Sequence, residues 1–245
     1  MIWLLAPVYN EADGIVRLIN SVHLQHTSGL PFRWLLVDDG SQDETVNLAK
    51  SILRQDDVLI ELGKNSGPGK AFEAGMHYFL EHAEKQDLLL TLEGDGTADL
   101  SSLTSMIRLQ RDEKADLVLA SVYLEGGGFS RTSASRLIIS HAANALSRFW
   151  LDMPYRTLTS FYRLWNYKAL AQVSVSYRPL IESKGFICQV ELLYKSHLLK
   201  QRIIEVPTRV YSERRQGKSK MKLIKTALSH VSFLLKSRKY RKIIK

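Results

Sequence analysis

The chain has 245 residues, of which 45% are hydrophobic and 24% charged, and its formal net charge at pH 7 is +9. This length suits one large α/β domain or two small ones, and the apolar fraction is ample for a buried core. The single cysteine excludes an internal disulfide and indicates a reducing compartment, and no apolar run is long enough to span a bilayer, so we expect a soluble or membrane-peripheral protein.

Apolar strand segments alternate with amphipathic helical segments through the first hundred residues. The predicted strands cover Ile2–Val8, Arg33–Val37, Val58–Leu62 and the apolar run that starts at Leu88. The predicted helices between them cover Asp13–His23, Val46–Leu53 and Ala71–Ala83. This alternation predicts a mostly parallel sheet with helices on both faces. Because Met1 leads directly into the first strand without a basic segment, we expect no signal peptide.

Three of the predicted strands end in polar or acidic loops, at Tyr9–Glu11, Asp38–Ser41 and Glu93–Asp99. The carboxyl ends of parallel strands meet at one edge of a sheet, where open α/β proteins bind their ligands, so the loops should converge. Glu93 and Asp95 lie one residue apart on a glycine-containing turn and can hold a hard divalent cation that neutralises phosphate. Taken alone, this stretch fits an ordinary acidic turn better.

A glycine-bearing segment, Asn65–Ala71, precedes the third predicted helix. It is not a P-loop, because Lys64 stands where the first glycine is required and Ala71 follows Lys70 in place of Ser or Thr. Its amide groups can approach an anion, although a tight turn into a helix explains the segment equally well.

Together these loops resemble a known family. The segments Pro7–Glu11, Val37–Asp43 and Asn65-x-Gly67, with the acidic pair at 93 and 95, resemble the inverting family 2 glycosyltransferases of the GT-A fold. Within that family they are most similar to the dolichyl- and polyprenyl-phosphate mannose synthases.

Later motifs extend the resemblance over nearly the whole chain. In order they are Gly126–Gly128, then Arg136, Ser140 and Asn144 at helical spacing, Thr159–Arg163, Gln189-x-Glu191, and Arg214-x-x-Gly217-x-Ser219-Lys220. The resemblance implies an α/β GT-A fold and a metal-dependent enzyme. The implied reaction moves a hexose from a nucleoside diphosphate sugar, of the GDP-mannose or UDP-glucose type, to a polyprenyl or dolichyl phosphate with inversion.

The resemblance also implies roles for individual residues. Nucleotide binding falls to Pro7, Tyr9, Glu11, Asp38, Asp39, Gly67 and Lys70, and Glu93 with Asp95 would hold Mg²⁺ or Mn²⁺. The acceptor phosphate would meet Arg136, Ser140, Arg214, Ser219 and Lys220. Of all these residues, Asp95, Arg136 and Arg214 are the candidate catalytic residues.

The sequence also departs from the pattern of the mannose synthases. Relatives usually have Asp-Ala-Asp, then one residue and Gln, whereas this chain has Glu93 first and Thr97 in the Gln position. Val122 replaces an arginine at the end of a later strand, so one phosphate clamp is missing, and the Thr-Ser segment has Phe161 or Ser160 in place of an internal glycine. These changes put the geometry of the metal site and the shape of the acceptor mouth in question.

The C-terminal segment is strongly basic. Residues 209–245 contain 13 Lys or Arg residues and a single acidic one, Glu213. We predict a catalytic domain over residues 1–220 and, over residues 221–245, an amphipathic helix and basic tail. Such a helix suits an anionic membrane surface, although packing against the catalytic domain explains it equally well. With a lipid-linked acceptor, we expect the protein on the cytoplasmic face of a membrane, where a small membrane subunit is a further possible partner.

Two other functions stay open. The same fold could transfer sugar to a glycan or protein hydroxyl, which requires a carboxylate as general base. A catalytically weakened member could bind a nucleotide sugar without turnover. Nucleic acid is not an expected partner, because Tyr240 is the one aromatic residue among the basic residues at the end of the tail.

Overall fold

A computed structural model describes residues 1–23, 29, 31–131, 134–215 and 223–241. Its strands are β1 (Ile2–Val8), β2 (Phe32–Asp38), β3 (Val58–Glu61), β4 (Leu88–Thr91), β5 (Leu117–Ser121), β6 (Gly128–Ser130), β7 (Arg163–Asn166), β8 (Ile203–Pro207) and β9 (Arg209–Tyr211). Seven of them form one sheet in the order β3-β2-β1-β4-β7-β5-β8, and β6 pairs with β9 apart from it. Within the large sheet β7 runs antiparallel to both of its neighbours, and the other pairs are parallel.

The helices are α1 (Ile15–His23), α2 (Thr45–Ile52), α3 (Pro68–His82), α4 (Leu103–Asp112), α5 (Ala134–Leu151), α6 (Tyr167–Ser176), α7 (Cys188–Leu198), α8 (Leu223–Lys236) and α9 (Arg238–Arg241). They cover both faces of the sheet. Trp3 and Leu5 of β1 pack in one buried cluster with residues of α3, α6 and α7, whereas Ile2 and Leu4 pack in a second cluster with α1 and α4. This alternation follows from the two-residue repeat of a strand and confirms the predicted mostly parallel α/β fold.

Some boundaries differ from the sequence prediction. Helix α3 begins at Pro68, three residues before the predicted start at Ala71. Proline suits the first helical turn because backbone N–H groups there have no carbonyl partner within the helix, so the absence of an N–H in proline costs no hydrogen bond. Gly67 precedes it with a φ of 90°, a conformation that glycine adopts without a steric cost.

The C-terminal helices pack on the domain through one face only. Phe233, Leu234 and Tyr240 are buried, and the indole N–H of Trp150 in α5 donates a hydrogen bond of 2.9 Å to the Leu234 carbonyl. The opposite face of α8 exposes apolar side chains. In the described residues, no helix combines the length and apolar character needed to cross a membrane. The proposed division of the chain at residue 220 stays a prediction.

Candidate active site

The loop after β1 is fixed by the loop after β2. Asn10 has a φ of 49°, in the left-handed region that asparagine tolerates better than most residues. Its N–H donates to Ser41 Oγ over 2.8 Å, its side-chain oxygen accepts from the Gln42 N–H over 2.8 Å, and the N–H of Glu11 donates to Thr45 Oγ1 over 2.7 Å. Because β1 and β2 are parallel neighbours, these contacts hold both loops at one edge of the sheet.

The two adjacent aspartates at the end of β2, Asp38 and Asp39, have different roles. Asp38 stabilises its own turn by accepting hydrogen bonds from the N–H groups two and three residues ahead. Asp39 reaches across the edge, and its two carboxylate oxygens accept the N–H groups of Ser66 and Gly67 over 2.7 and 2.8 Å. Burial raises the pKa of Asp39, the two amide hydrogen bonds oppose that rise, and the charge of Asp38 adds to it. Asp39 therefore joins the second strand loop to the glycine-bearing segment.

The glycines of that segment allow a third loop to approach closely. A Cβ atom on Gly67 would lie 2.4 Å from the Lys184 carbonyl oxygen, and one on Gly69 would lie 1.8 Å from the Ser183 carbonyl oxygen. The Gly69 N–H donates to Lys184 O over 3.0 Å. A larger residue at either glycine would push these backbones apart. The segment is therefore held from both sides, by Asp39 and by residues 183–184.

Lys70, a predicted nucleotide-binding residue, pairs with a side chain of its own helix. Its ammonium lies 2.6 Å from a carboxylate oxygen of Glu73, whose other oxygen accepts the N–H of Ile181 over 3.1 Å. A phosphate bound at this position would compete with Glu73 for the lysine.

The acidic loop after β4 lies against the end of β1. A Cβ atom on Gly94 would lie 2.4 Å from the Pro7 carbonyl oxygen, so glycine is required for the contact. Thr97 is buried, and both its N–H and its hydroxyl donate to Asp95 Oδ1, over 3.1 and 2.8 Å. Thr97 therefore orients the carboxylate of Asp95.

Arg215 completes this acidic site, and the sequence analysis missed it. Its Nε donates to Asp95 Oδ2 over 2.9 Å, a terminal nitrogen also bonds that oxygen, and the same nitrogen lies 3.8 Å from Glu93 Oε2. Enclosure by the protein and the charge of Asp95 raise the pKa of Glu93, while Arg215 acts to lower it. The available signal was the pair of adjacent arginines in the basic motif, of which Arg214 alone matches the family pattern.

The residues present fit a divalent cation that a bound diphosphate completes. Among the described residues, no group of three or more His, Cys, Asp or Glu side chains forms a ready metal cage. Glu93 and Asp95 supply two carboxylates. Mg²⁺ typically takes one or two carboxylates together with substrate phosphates and water, so this donor set suits Mg²⁺ or Mn²⁺.

A second polar cluster lies where β5 ends and α5 passes. The hydroxyls of Tyr123 and Ser140 lie 2.6 Å apart, and burial raises the pKa of Tyr123. One turn further along α5, Asn144 donates to the Arg156 carbonyl over 3.1 Å and accepts the N–H of Leu158 over 3.1 Å. The helix is thereby fixed to the segment 156–158. Arg136 lies one turn before Ser140 on α5.

Arg156 is an exposed cation on a fixed backbone. Its N–H and that of Thr157 donate to the two carboxylate oxygens of Glu205, each over 2.8 Å. Its guanidinium reaches the Tyr123 carbonyl over 3.4 Å and forms no ion pair with any residue that the structure describes. The sequence analysis did not select Arg156, because it belongs to none of the family motifs.

Arg214, another predicted phosphate-binding residue, does not contact the acidic pair. The guanidinium of Arg214 lies over the ring of Tyr211, 3.9 Å from its centroid, and is not the arginine that contacts Asp95. Ser219 and Lys220 fall outside the described residues.

Residues 4–178 match the model of the family described as glycosyl transferase family 2. The chain belongs to this family. The family 2 glycosyltransferase is similar to two curated enzymes. It is 29% identical to the polyprenol monophosphomannose synthase of Mycolicibacterium smegmatis over 88% of this chain and 78% of that one. It is 32% identical to the undecaprenyl-phosphate mannosyltransferase of Micrococcus luteus over 88% of this chain and 85% of that one.

Solved glycosyltransferases share the fold of this enzyme. Glucosyl-3-phosphoglycerate synthase of Mycobacterium tuberculosis, solved with Mn²⁺ and UDP-glucose, superposes with a TM-score of 0.65 at 17% identity over 97% of this chain and 78% of that one. TarS of S. aureus, solved with UDP-GlcNAc, superposes with a TM-score of 0.57 at 20% identity over 89% of this chain. The family 2 enzyme covers 59% of that TarS chain.

The structure therefore brings together most of the predicted donor residues of the transferase. The loops that carry Tyr9 and Glu11, Asp39, Gly67, and the pair Glu93 and Asp95 follow adjacent parallel strands and are joined by hydrogen bonds or close backbone contacts. Ser140 lies in the second cluster, with Tyr123 and next to Asn144.

Proposed function

We propose that this transferase moves a hexose from a nucleoside diphosphate sugar to a polyprenyl phosphate and inverts the anomeric carbon. The observation that carries the proposal is the similarity, over 88% of the chain, to two enzymes whose names specify polyprenyl phosphate mannosylation. The two polar clusters support this proposal. The cluster at the ends of the parallel strands combines carboxylates with loops that are fixed at the edge of the sheet. The cluster at the end of β5 presents hydroxyls and an exposed arginine.

On the donor side, the fixed loops would hold the nucleotide. Tyr9, Glu11 and Asp39 line the edge at which β1 and β2 end, and the N–H groups that Asp39 binds keep the glycine-bearing segment in place. Glu93 and Asp95 would hold the divalent cation. When bound, that cation neutralises the diphosphate and assists its departure as a Lewis acid.

On the acceptor side, a phosphate monoester is largely ionised at neutral pH, so the enzyme needs no strong general base. Positioning the phosphate oxygen behind the anomeric carbon then supplies most of the rate enhancement. Arg156, Ser140 and Tyr123 would bind the acceptor phosphate together with Arg136, Arg214, Ser219 and Lys220. Arg156 provides positive charge next to Tyr123, at the strand end where Val122 lacks it.

The surface formed by α5 and α8 would lie on the membrane. Phe149 is 86% exposed, and Leu228 and Leu235 are 66% and 65% exposed. The exposed cations Arg148 and Lys236 neighbour these side chains in the sequence. An apolar face with a cationic rim suits a leaflet of anionic lipid, which is also where a polyprenyl phosphate is found. We therefore place the enzyme on the cytoplasmic face of a membrane, with or without a small membrane subunit.

Membrane binding can be tested without substrate. We expect the enzyme to sediment with vesicles that contain anionic phospholipid, and replacement of Phe149 and Leu235 by serine to reduce the bound fraction several-fold. Val175→Ser is the matched control, because Val175 is 70% exposed but lies on α6. Equal binding by the double variant and the wild type would exclude this surface as the docking face.

The transfer itself is tested with radiolabelled GDP-mannose and UDP-glucose and polyprenyl phosphate in detergent, with Mg²⁺, Mn²⁺ or EDTA. We expect label in the organic phase that requires both the metal and Asp95, and Asp95→Ala should abolish it. No organic label from any donor, with nucleotide still bound tightly, would contradict the proposal and favour a hydroxyl acceptor or a binding subunit.

A further inference from the structure

Arg215 is delivered to the acidic loop by a strand that pairs with that same loop. The N–H of Tyr211 donates to the Thr97 carbonyl over 2.9 Å, and Ala98 and Val210 form an antiparallel bridge. The backbone of β9 is therefore joined to the residues that follow Asp95. Arg215 comes four residues after Tyr211, beyond a short helical turn, and its guanidinium returns to the Asp95 carboxylate.

These contacts occupy both oxygens of Asp95. Thr97 donates two hydrogen bonds to Oδ1, and two nitrogens of Arg215 bond Oδ2. A cation that binds through Oδ2 has to take the place of an arginine nitrogen. Burial lowers the pKa of Arg215, but the charges of Asp95, Glu93 and Glu11 outweigh that effect and leave its pKa raised. A guanidinium keeps its charge throughout the physiological pH range, so Arg215 is a permanent positive charge at this position.

We propose that Arg215 is the resident cation of the donor-free enzyme, which releases Asp95 to the divalent cation when the donor binds and then pairs with the donor's diphosphate. The arginine prevents repulsion between Glu93 and Asp95 when no metal is present. Once the metal holds both carboxylates, the diphosphate becomes the nearest uncompensated anion, and a planar guanidinium suits its oxygens. The diphosphate part rests on the proposed function, whereas the exchange at Asp95 can be measured without any sugar transfer.

The exchange predicts opposite effects on two ligands. Removal of Arg215 frees the Asp95 carboxylate, so the affinity for free Mn²⁺ should rise by roughly tenfold, as expected when a competing hydrogen bond between charged groups is lost. The same change removes a partner of the diphosphate, so the affinity for GDP or UDP in the presence of saturating Mn²⁺ should fall by roughly tenfold. A general loss of structure, by contrast, would weaken the binding of both Mn²⁺ and the nucleotide.

The first experiment titrates the full-length enzyme with Mn²⁺ alone and measures the free ion by electron paramagnetic resonance. Arg215→Gln should bind Mn²⁺ more tightly than the wild type, and Arg215→Lys should fall between them, because lysine keeps the charge without the fork of donors. Arg214→Gln is the matched control for net charge and should leave Mn²⁺ affinity within twofold, since its guanidinium stacks on Tyr211. Asp95→Asn should remove the gain that Arg215→Gln produces.

The second experiment measures the binding of GDP and UDP to the same variants by calorimetry at saturating Mn²⁺. Weaker nucleotide binding by Arg215→Gln, with tighter Mn²⁺ binding, supports the proposal. Unchanged or weaker Mn²⁺ binding by Arg215→Gln overturns the exchange, as does an equal gain in Arg214→Gln. Unchanged nucleotide binding overturns the diphosphate part. If polyprenyl phosphate proves not to be the acceptor, both measurements keep their meaning, because neither contains an acceptor.

Discussion

The donor side of the candidate site, formed by the loops after β1, β2, β3 and β4, differs in construction from the acceptor side, formed by α5, the segment 156–158 and the end of β5. On the donor side, side chains hold backbone N–H groups of neighbouring strand loops, as Asp39 holds those of Ser66 and Gly67. On the acceptor side, hydroxyl groups bond one another, as those of Tyr123 and Ser140 do, and the guanidinium of Arg156 reaches the Tyr123 carbonyl.

This difference has a physical consequence for how each side tolerates change. A backbone held by carboxylates keeps its shape whatever the exposed side chains are, so the donor loops can retain short, recognisable motifs. The acceptor side uses side chains that can be exchanged for others in the same space. Here Val122 stands where the resemblance to the mannose synthases predicts an arginine, while Arg156 approaches the same strand end from another segment.

The largest effect is expected at Asp39. Replacement by Asn leaves one carbonyl oxygen for two N–H donors and brings an NH₂ group towards one of them. Each hydrogen bond to a charged group contributes about 1.5–3 kcal/mol, so we expect nucleotide affinity to fall by about 100-fold. Calorimetric titration of the variant and the wild type with GDP and UDP measures this loss of affinity.

The matched control for Asp39 is Asp87, a buried carboxylate at the opposite edge of the same sheet. It accepts hydrogen bonds from the N-terminal ammonium and from the indole of Trp3, over 2.8 and 3.0 Å. Asp87→Asn should lower the thermal stability and leave nucleotide affinity within twofold. An equal loss of affinity in both variants would show that Asp39 acts through stability alone.

The next largest effect concerns a buried ion pair behind the donor side. Lys195 and Glu191 form a fully buried pair 2.6 Å apart, and Glu191 also accepts the N–H groups of Glu182 and Ser183, next to the loop that backs the glycine-bearing segment. Breaking a buried pair leaves an uncompensated charge, so Lys195→Met should lower the free energy of unfolding by about 3 kcal/mol. Chemical denaturation measures this loss.

The control is the exposed pair of Lys50 with Glu61, also 2.6 Å apart. Lys50→Met should change the unfolding free energy by less than about 1 kcal/mol, because solvent screens exposed pairs. The loss in Lys195→Met should also depend on pH. Burial acts to raise the pKa of Glu191, but Lys195 and the backbone amides lower it overall. The ionised Glu191 therefore stabilises the folded protein at a pH above its ordinary pKa, and this stabilisation disappears as the pH falls through the lowered pKa. A loss that stays constant from pH 7 to pH 3 would contradict this assignment.

The same contrast explains how much could be predicted from the sequence. The strand loops and their convergence followed from alternating strands and helices, because parallel strands place their carboxyl ends together. Arg215 and Arg156 did not follow. Each reaches its site through a contact across a long stretch of chain, from Arg215 to Asp95 and from Arg156 to Tyr123, and no local pattern specifies such contacts. Thr97, which stands in the Gln position of the family pattern, orients Asp95 by donating a hydrogen bond to its carboxylate.

A smaller effect is expected at Arg156. Removal of its guanidinium should weaken the binding of the acceptor phosphate and leave the binding of the donor unaffected. Arg156→Gln should therefore raise the KM for polyprenyl phosphate by roughly tenfold, which is the effect of one lost hydrogen bond between charged groups. Arg202→Gln is the control, since Arg202 is an exposed arginine paired with Glu113. Steady-state kinetics with each substrate varied in turn measures both constants. A rise in the KM for the donor, with the KM for polyprenyl phosphate unchanged, would show that Arg156 acts on the donor and contradict its assignment to the acceptor phosphate.

The smallest effect is expected at Thr97, where the donor side does rely on a side-chain contact. Thr97→Val keeps the shape and the backbone N–H but loses the hydroxyl that donates to Asp95 Oδ1 over 2.8 Å. One of four hydrogen bonds to that carboxylate is lost while the other three still hold it, so the loss should be only about 1 kcal/mol, and Mn²⁺ affinity should fall by roughly fivefold. Thr97→Ser keeps the hydroxyl and should behave as the wild type. If the serine variant loses as much affinity as the valine variant, the methyl group packed in the buried site is needed as well as the hydrogen bond to position Asp95, and the donor side then depends on packing as well as on its carboxylates.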